Sequence, residues 1–346
     1  MKNSWKGAAV RHRGLTIRDV AARAGVSIAA VSQALNGKGT LSAATRERIV
    51  GIAAEMGYEA DALARGMTRS RMGILGLVFR PLDSLSHYNP EGVDFFSRLA
   101  GYAGIEVLEH GMSLTLLHDL TRRPMPPLAY SMDGYLVVNP FRDDAVLAEL
   151  ERRELPYVML GRDFGRPERT RWVSADDAAA MRMMLDHLAE AGAGSLLLVE
   201  GMDENAWNAD SAAAFRAWCA ERGVAGRVVR LAEDSGVQGG RDLAGSWAED
   251  GEELPDAVVC MTGRHAAGVQ AGLRDAGHRH VLIGTMSDSE QSRGGHPPIT
   301  AMRSSIAEEV RQGVAMLGAI LSGEEAAGPV LLSVELEIRG STSSLP

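Results

Sequence analysis

Residues 16–36 read TIRDVAARAGVSIAAVSQALN. The pattern is a short amphipathic helix, a tight turn at Gly25 and a second helix opening at Ser27. This arrangement presents one helix to the DNA major groove. Thr16 is placed to cap the first helix, with Asp19 three residues on completing a capping box. Ile17, Val20, Ala21 and Ala24 recur at helical spacing and form one apolar face. Gly25 takes the positive φ that such a turn requires. Ser27 is placed to cap the second helix, from which Val31 and Leu35 face inward. Ala29, Ala30, Ser32, Gln33 and Asn36 are left to point elsewhere. A third helix follows a Gly-rich loop, with Ser42 as its cap and Ile49, Ile52, Ala53 and Met56 as its buried stripe. A three-helix bundle without a DNA role has the same apolar pattern, so the surroundings must decide.

Charge distribution favours the DNA reading. The chain carries a net −9. Residues 1–72 hold 12 Lys+Arg against 5 Asp+Glu, a local +7, so the other residues carry −16. A basic head on an acidic body is the electrostatic footprint of a DNA-binding domain joined to something else. The length of 346 residues allows two or three compact units, and 45% apolar content allows large cores. The 2 cysteines, Cys219 and Cys260, imply neither a disulfide framework nor a cysteine-rich zinc site. No apolar leader and no run of membrane-spanning length is seen, so a cytoplasmic protein is expected.

Residues 1–14 read as a disordered tail, 15–58 as the helical head, and 59–72 as a hinge helix and linker. Beyond them strand and helix patterns alternate. Ile74 to Phe79 is a continuous apolar run ended by Arg80-Pro81, the signature of a buried strand. Further strands are expected at 114–117, 134–138, 157–160, 196–199, 228–231, 257–261 and 281–283, with helices between them. A last helix, 304–322, precedes a last strand, Leu331 to Ile338. The alternation predicts doubly wound, mainly parallel sheets. We divide them into two lobes, 73–172 plus about 298–327, and 173–297 plus about 328–342. Ligands of such sheets bind beyond the carboxyl ends of the strands, which here face one cleft.

At this point the residues resemble the LacI/GalR (lactose-repressor-like) family of bacterial transcription regulators. The head carries T-I-x-D-V-A-x-x-A-G-V-S, then V-S-x-x-L-N, T-R-E-R-I and G-Y, with A-R at 64–65. Weaker marks follow in order: M-D-G at 132–134, L-P-Y-V at 155–158, H-L at 187–188, P-P-I-T at 297–300 and R-G-S-T at 339–342. The resemblance implies an all-α helix-turn-helix head and a two-lobed, periplasmic-binding-protein-like α/β body. It implies a homodimer, joined through the body, on palindromic double-stranded operator DNA, with a small-molecule effector in the cleft. It implies no enzyme activity, no cofactor and no metal. Thr16, Ile17, Ser27, Ile28, Ala29 and Ala30 match DNA-contacting positions of the head, as do Ser32, Gln33, Asn36, Thr45 and Tyr58. In the hinge, Ala64 and Met67 match it too, Met67 standing where the family places an intercalating Leu.

The departures sharpen the expectation. The recognition face is Ile28-Ala29-Ala30 with Gln33, where the family often has Thr for Ala30 and Arg for Gln33. Apolar groups there contact thymine methyls, and Gln pairs bidentately with adenine. An A·T pair is therefore expected where Arg would select guanine. The hinge begins Ala60-Asp61 in place of Pro-Asn. The cleft departs most. Ser211 stands at the family's Arg, Thr262-Gly263 at its Asn-Asp, and Thr285-Met286 at its aromatic-Asp. Strand ends offer Phe79, Arg80, Asn139, Arg162, Trp207 and Arg264 in their stead. Several cations near one cleft would suit a sugar acid or sugar phosphate, with Trp207 stacking on a sugar face. The ordinary reading of each Arg, which weighs slightly more, is a solvated loop charge or a lobe-to-lobe salt bridge. A cleft answering to a non-sugar ligand or a protein signal is the alternative.

An enzyme and a transport-type binding protein are the rival classes. Nine His show no metal-ligand spacing, and no phosphate-cradling glycine motif follows the first strand. The basic head argues against a transport role. The last residues carry no apolar heptads, so a dimer rather than a tetramer is expected.

Overall fold

The computed structural model describes residues 15–35, 37, 39–58, 71–79, 94–126, 128–249, 253–325 and 327–343. The tail at 1–14, the hinge at 59–70, Asn36, Ala64, Met67 and Arg80 therefore lie outside the described residues. The chain divides into two compact units, Met1–Met72 and Gly73–Pro346.

The first unit holds α1 (Ile17–Ala24), α2 (Ile28–Leu35) and α3 (Ala43–Glu55). The Thr16 backbone N–H and hydroxyl both donate to the Asp19 carboxylate at 2.7 Å. Those bonds hold the Asp19 carboxyl below its usual range. Gly25 ends α1 at φ 66°, and the Ser27 hydroxyl accepts from the Ala30 N–H. Val20, Ala21, Ala24, Val31, Ala34, Ile49 and Ala53 close the core. Ala34 is fully inward while Leu35 is only half-buried, a shift of one position from the sequence reading.

The second unit contains two six-stranded sheets. The first runs β11-β5-β4-β3-β1-β2, with β1 (Ile74–Val78), β2 (Ser113–Leu117), β3 (Gly134–Val138), β4 (Tyr157–Leu160), β5 (Trp172–Ala175) and β11 (Val330–Leu332). The second runs β12-β10-β9-β8-β6-β7, with β6 (Ser195–Glu200), β7 (Ala225–Arg230), β8 (Ala257–Cys260), β9 (Leu282–Thr285), β10 (Thr300–Ser304) and β12 (Val334–Glu337). All pairs are parallel except β10 with β12. The central strands are buried on both faces, which is why they read as unbroken apolar runs.

Helices α4 (Asp94–Glu109), α5 (Ala145–Arg152) and α11 (Ile306–Ser322) cover the first sheet. The second is covered by α6 (Asp177–Glu190), α7 (Ala206–Arg222), α8 (Gly236–Glu249) and α9 (Gly263–Asp275). A short α10 (Glu290–Arg293) precedes β10.

Three corrections concern where the chain crosses between lobes. β5 lies in the first sheet, so the first lobe extends past 172. β10 lies in the second sheet, whereas the sequence pattern places 298–327 wholly in the first lobe. The expected strand Leu331–Ile338 is two strands, β11 in the first sheet and β12 in the second, parted at Ser333. The chain thus crosses near Asp176, Ser305 and Ser333. Hydrophobic period specifies a strand and its faces but carries no information about which sheet accepts it.

Three of the weak body motifs meet at one place in the second lobe. His187 Nε2 lies 2.7 Å from the Thr342 hydroxyl, which lies 2.6 Å from that of Thr300. Arg339 reaches the Asp288 carboxylate at 2.8 Å. H-L, P-P-I-T and R-G-S-T therefore tie the chain's last residues to the second sheet.

Helices α8 and α9 approach through glycines. A Cβ on Gly268 would fall 2.0 Å from the Val237 carbonyl, whereas one on Gly245 meets nothing within 4 Å. Gly268→Ala should lower unfolding stability by about 1–3 kcal/mol through overpacking. Gly245→Ala, a neutral or slightly stabilising helix change, is the control. Denaturant melts of both variants check this, and equal midpoints would contradict the close packing.

Candidate functional site

Two surfaces offer themselves, one in each unit. In the head, the core claims Val31 and Ala34 of α2 and leaves the opposite side to solvent. Ser27, Ile28, Ala29 and Gln33 are exposed, and Ala30 and Ser32 are half-exposed. Ile28 is 45% exposed on this face. Gln33 lies over Gly39 (φ 90°), where a Cβ would come within 2.6 Å of the Gln33 amide. Thr16 is exposed beside the N-terminus of α1, whereas Ile17 packs partly against the core. Thr45, whose hydroxyl lies 2.8 Å from that of Ser42, and Tyr58 are half-buried. The result is a convex helix face of small and apolar groups with one amide, flanked by hydroxyls and backbone N–H groups at helix starts. Such a surface fits a groove floor at its centre and phosphates at its edges.

In the body, a cavity of about 660 Å³ opens between the lobes. It lies at the carboxyl ends of the strands, where doubly wound sheets place ligands. Asn139 (after β3), Arg162 (after β4), Trp207 (α7), Arg264 (α9) and Met286 (after β9) all line it. Two expected residues do not. Phe79 is 3% exposed in the first-lobe core. Ser211 is wholly buried within α7, and its hydroxyl finds no hydrogen-bond partner among the described residues. Both belong to packing rather than to the cavity wall.

The arginines are not free anion receptors. Arg162 crosses from the first lobe to Asp210 on α7, with Nη2 2.6 Å and Nε 3.2 Å from Oδ2. It is the lobe-to-lobe salt bridge. Arg264 donates to the Glu233 carbonyl at 2.8 Å, and burial lowers its pKa. Its neighbour His265 is fully buried, with Nε2 near the Ala232 carbonyl and the Ser235 hydroxyl. Burial pushes its pKa down, so it is a neutral core residue. Asp163, after β4, is also structural. Burial alone would raise its pKa, but N–H groups of Asp144, Asp143 and Gly165 and the Arg169 guanidinium hold it below the usual range.

Sequence reasoning missed the cavity's most perturbed groups. Asp177 opens α6 and Glu309 sits in the first turn of α11, each just past a crossing between lobes. Burial, then the charges of Asp210 and Asp176, push the Asp177 carboxyl up to about 7, against the pull of Arg162. Burial and the charge of Asp177 push Glu309 up to about 8. An acidic pair at helix starts reads in sequence as a solvated, dipole-matched first turn. Only the crossings reveal that both face a cavity.

Among the described residues no group of three or more His, Cys, Asp or Glu could hold a metal ion. Among them, too, no helix is long and apolar enough to cross a membrane.

Comparison with known proteins gives these surfaces a context. Residues 16–61 match the model of bacterial regulatory proteins of the lacI family, and 185–342 match the periplasmic binding protein-like domain. The chain is 30% identical over 352 residues to the HTH-type transcriptional regulator PtxS of Pseudomonas aeruginosa, covering 97% of this chain and 98% of that one. It is 26% identical over 345 residues to the regulator GalR of Streptococcus thermophilus, covering 94% of this chain and 99% of that one. The fold is similar to that of the lac repressor dimer bound to operator and an anti-inducer, with TM-score 0.77, 20% identity, and 96% of this chain and 100% of that one covered. It is similar also to the regulator CelR in complex with cellobiose, with TM-score 0.65, 23% identity, and 94% and 99% covered.

The two cavity carboxyls bind more protons folded than unfolded from about pH 4 to pH 8. Folded pKa values raised above the unfolded ones mean their contribution to stability is intact at low pH and falls as pH rises through that window. The Asp177→Asn, Glu309→Gln double variant removes this term. Between about pH 5 and about pH 8.5 its melting temperature should fall less than that of the wild type. Parallel falls measured by calorimetry would contradict the buried-carboxyl assignment.

Proposed function

The chain belongs to the lacI family of bacterial regulatory proteins, and from that premise we propose a dimeric, ligand-controlled repressor that reads a two-fold-symmetric operator in the cytoplasm. The observation that carries the reading is the exposed face of α2, with Ile28, Ala29 and Gln33 outward on a head whose sequence is strongly basic. In this reading the hydroxyls of Thr16, Ser27, Ser32 and Thr45, with Ile17 and Tyr58, fix the head on phosphates and sugars. Ile28, Ala29, Ala30 and Gln33 read base edges, with Asn36 beside them. Ala64 and Met67 act from the hinge in the minor groove.

Dimerisation is supported by α4. Its inner side packs Leu99, Ala103 and Val107 into the first-lobe core. Its outer side leaves Tyr102, Ile105 and Leu108 exposed, the last two at 60% and 66%. An apolar strip of this kind marks a protein interface. The cavity between the lobes is the effector site, with Asn139, Trp207, Arg264 and Met286 on its wall. A hydroxyl-rich ligand is supported by that mixture of polar groups and one indole, and by the cellobiose bound to CelR. The chain's activity is regulation rather than catalysis.

Selection of bound sequences from random duplexes should return inverted half-sites, each with an A·T pair facing Gln33. Gln33→Ala should relax that position at a cost of about 1–3 kcal/mol in discrimination. Invariant guanine there, or no symmetric site, would sink this reading of the head. For the dimer, Ile105→Asp with Leu108→Asp should yield monomers in sedimentation analysis. Operator affinity should then fall by about a hundredfold as the second half-site becomes a separate binding event. A doubly substituted protein that remains dimeric would place the interface elsewhere.

A further inference from the structure

Arginines near the cavity suggest an anionic ligand, but three of them, Arg162, Arg264 and Arg303, are engaged by carboxylates or a carbonyl. Arg162 is neutralised by Asp210, and Arg303 by Glu335 and Glu337. Arg264 is committed to the Glu233 carbonyl and faces Asp234. Arg98 is exposed at the rim on α4. The carboxyls of Asp177 and Glu309, by contrast, have neither a hydrogen bond nor an ion pair among the described residues. They stand half-buried on the wall of the cavity, with Asp176 and Asp210 adding negative charge behind Asp177. Asp177 is near enough to Glu309 to disfavour its ionisation.

Two desolvated carboxyls without partners cost the empty protein stability, and a sugar acid or phosphate brought beside them would raise that cost. A cation lowers it. The surrounding wall offers Trp207, Met286, Met302 and Val334, an aromatic and apolar surface suited to the body of a small organic molecule rather than to a bare ion.

We propose that the effector is a small organic cation, an amine-bearing molecule whose charged group is held by Asp177 and Glu309 and whose body packs against Trp207. This rests on the reading of the cavity as the effector site. A hydroxylated amine satisfies both it and the polar groups around Asn139. The two carboxyls are a functional expense that a cation recovers on binding.

The test uses the full chain and three matched ligand sets in thermal-shift assays at about 10 mM, well above a sub-millimolar Kd. These are glucosamine with glucose and gluconate, putrescine with butanediol and succinate, and agmatine with butylurea. In at least one set the amine or guanidine should raise the melting temperature while its neutral and anionic counterparts do not. Glu309→Gln should melt above the wild type without ligand and lose the cation's shift. Asp177→Asn should weaken that cation's affinity at least tenfold. A neutral or anionic member that shifts as much as its cation would overturn the proposal. So would the absence of any cation shift, or a Glu309→Gln protein that melts below the wild type. Each of those results leaves the DNA reading intact if the selected operator is still bound in a gel shift. Failure of operator binding with the cation shift retained would remove the regulator reading and keep the ligand class.

Discussion

The ion pair between Arg162 and Asp210 is the interaction on which the body's behaviour turns. It joins the end of β4 in the first lobe to α7 in the second. The Arg142 N–H donates to the Glu204 carbonyl at 2.7 Å, and Phe141 pairs with Asn205 as an isolated antiparallel bridge. These contacts close one side of the cleft, and the three chain crossings form its hinge. A half-buried pair of this kind contributes little net stability, since desolvation offsets most of the attraction. We propose that it acts as a latch, a contact that favours the lobes together over the lobes apart.

The latch also sets the electrostatics of the cavity. By engaging Arg162 it removes the cation that the sequence offers most plainly to an anionic ligand. By fixing Asp210 it places a carboxylate beside Asp177. The carboxyls of Asp177 and Glu309 are then left on the cavity wall without an ion-pair partner among the described residues, beside the apolar side chains of Met286 and Met302. Closure of the lobes and affinity for a ligand are thus two readings of one arrangement of charges. A ligand held by Asp177 on α6 and Glu309 on α11 touches both sides of the hinge, which is the differential contact that a population shift requires.

The head and the strands were legible because their signals are local. The capping pair Thr16 and Asp19, the turn at Gly25 and the apolar spacing through Ile49 depend on neighbours a few residues away. So does the unbroken run at Ile74–Val78. The crossings were not legible. Leu331–Ile338 keeps one strand-like character while it changes sheets, because both sheets offer it an apolar face. Ser211 and Phe79 looked like cleft residues by position and proved to be packing. Arg162 is expected from sequence as an effector residue, with a lobe-to-lobe bridge among its ordinary alternatives, and the structure pairs it with Asp210. Asp177 and Glu309 escape because they face one cavity from helices far apart in the chain. The motifs H-L, P-P-I-T and R-G-S-T were legible as marks of kinship. Their role, a hydrogen-bonded knot of His187, Thr300, Arg339 and Thr342, needed the fold.

In a ligand-controlled regulator of this kind, we propose that lobe geometry and DNA affinity are coupled through this ion pair. The direct measurement is operator affinity, by fluorescence anisotropy, for the wild type and for Arg162→Gln, a change confined to the body. Coupling of about 1–3 kcal/mol corresponds to roughly 5- to 150-fold. We therefore predict an operator Kd shifted at least about fivefold, with the head unaltered and the dimer intact. An unchanged Kd in a folded, dimeric Arg162→Gln protein would contradict the account.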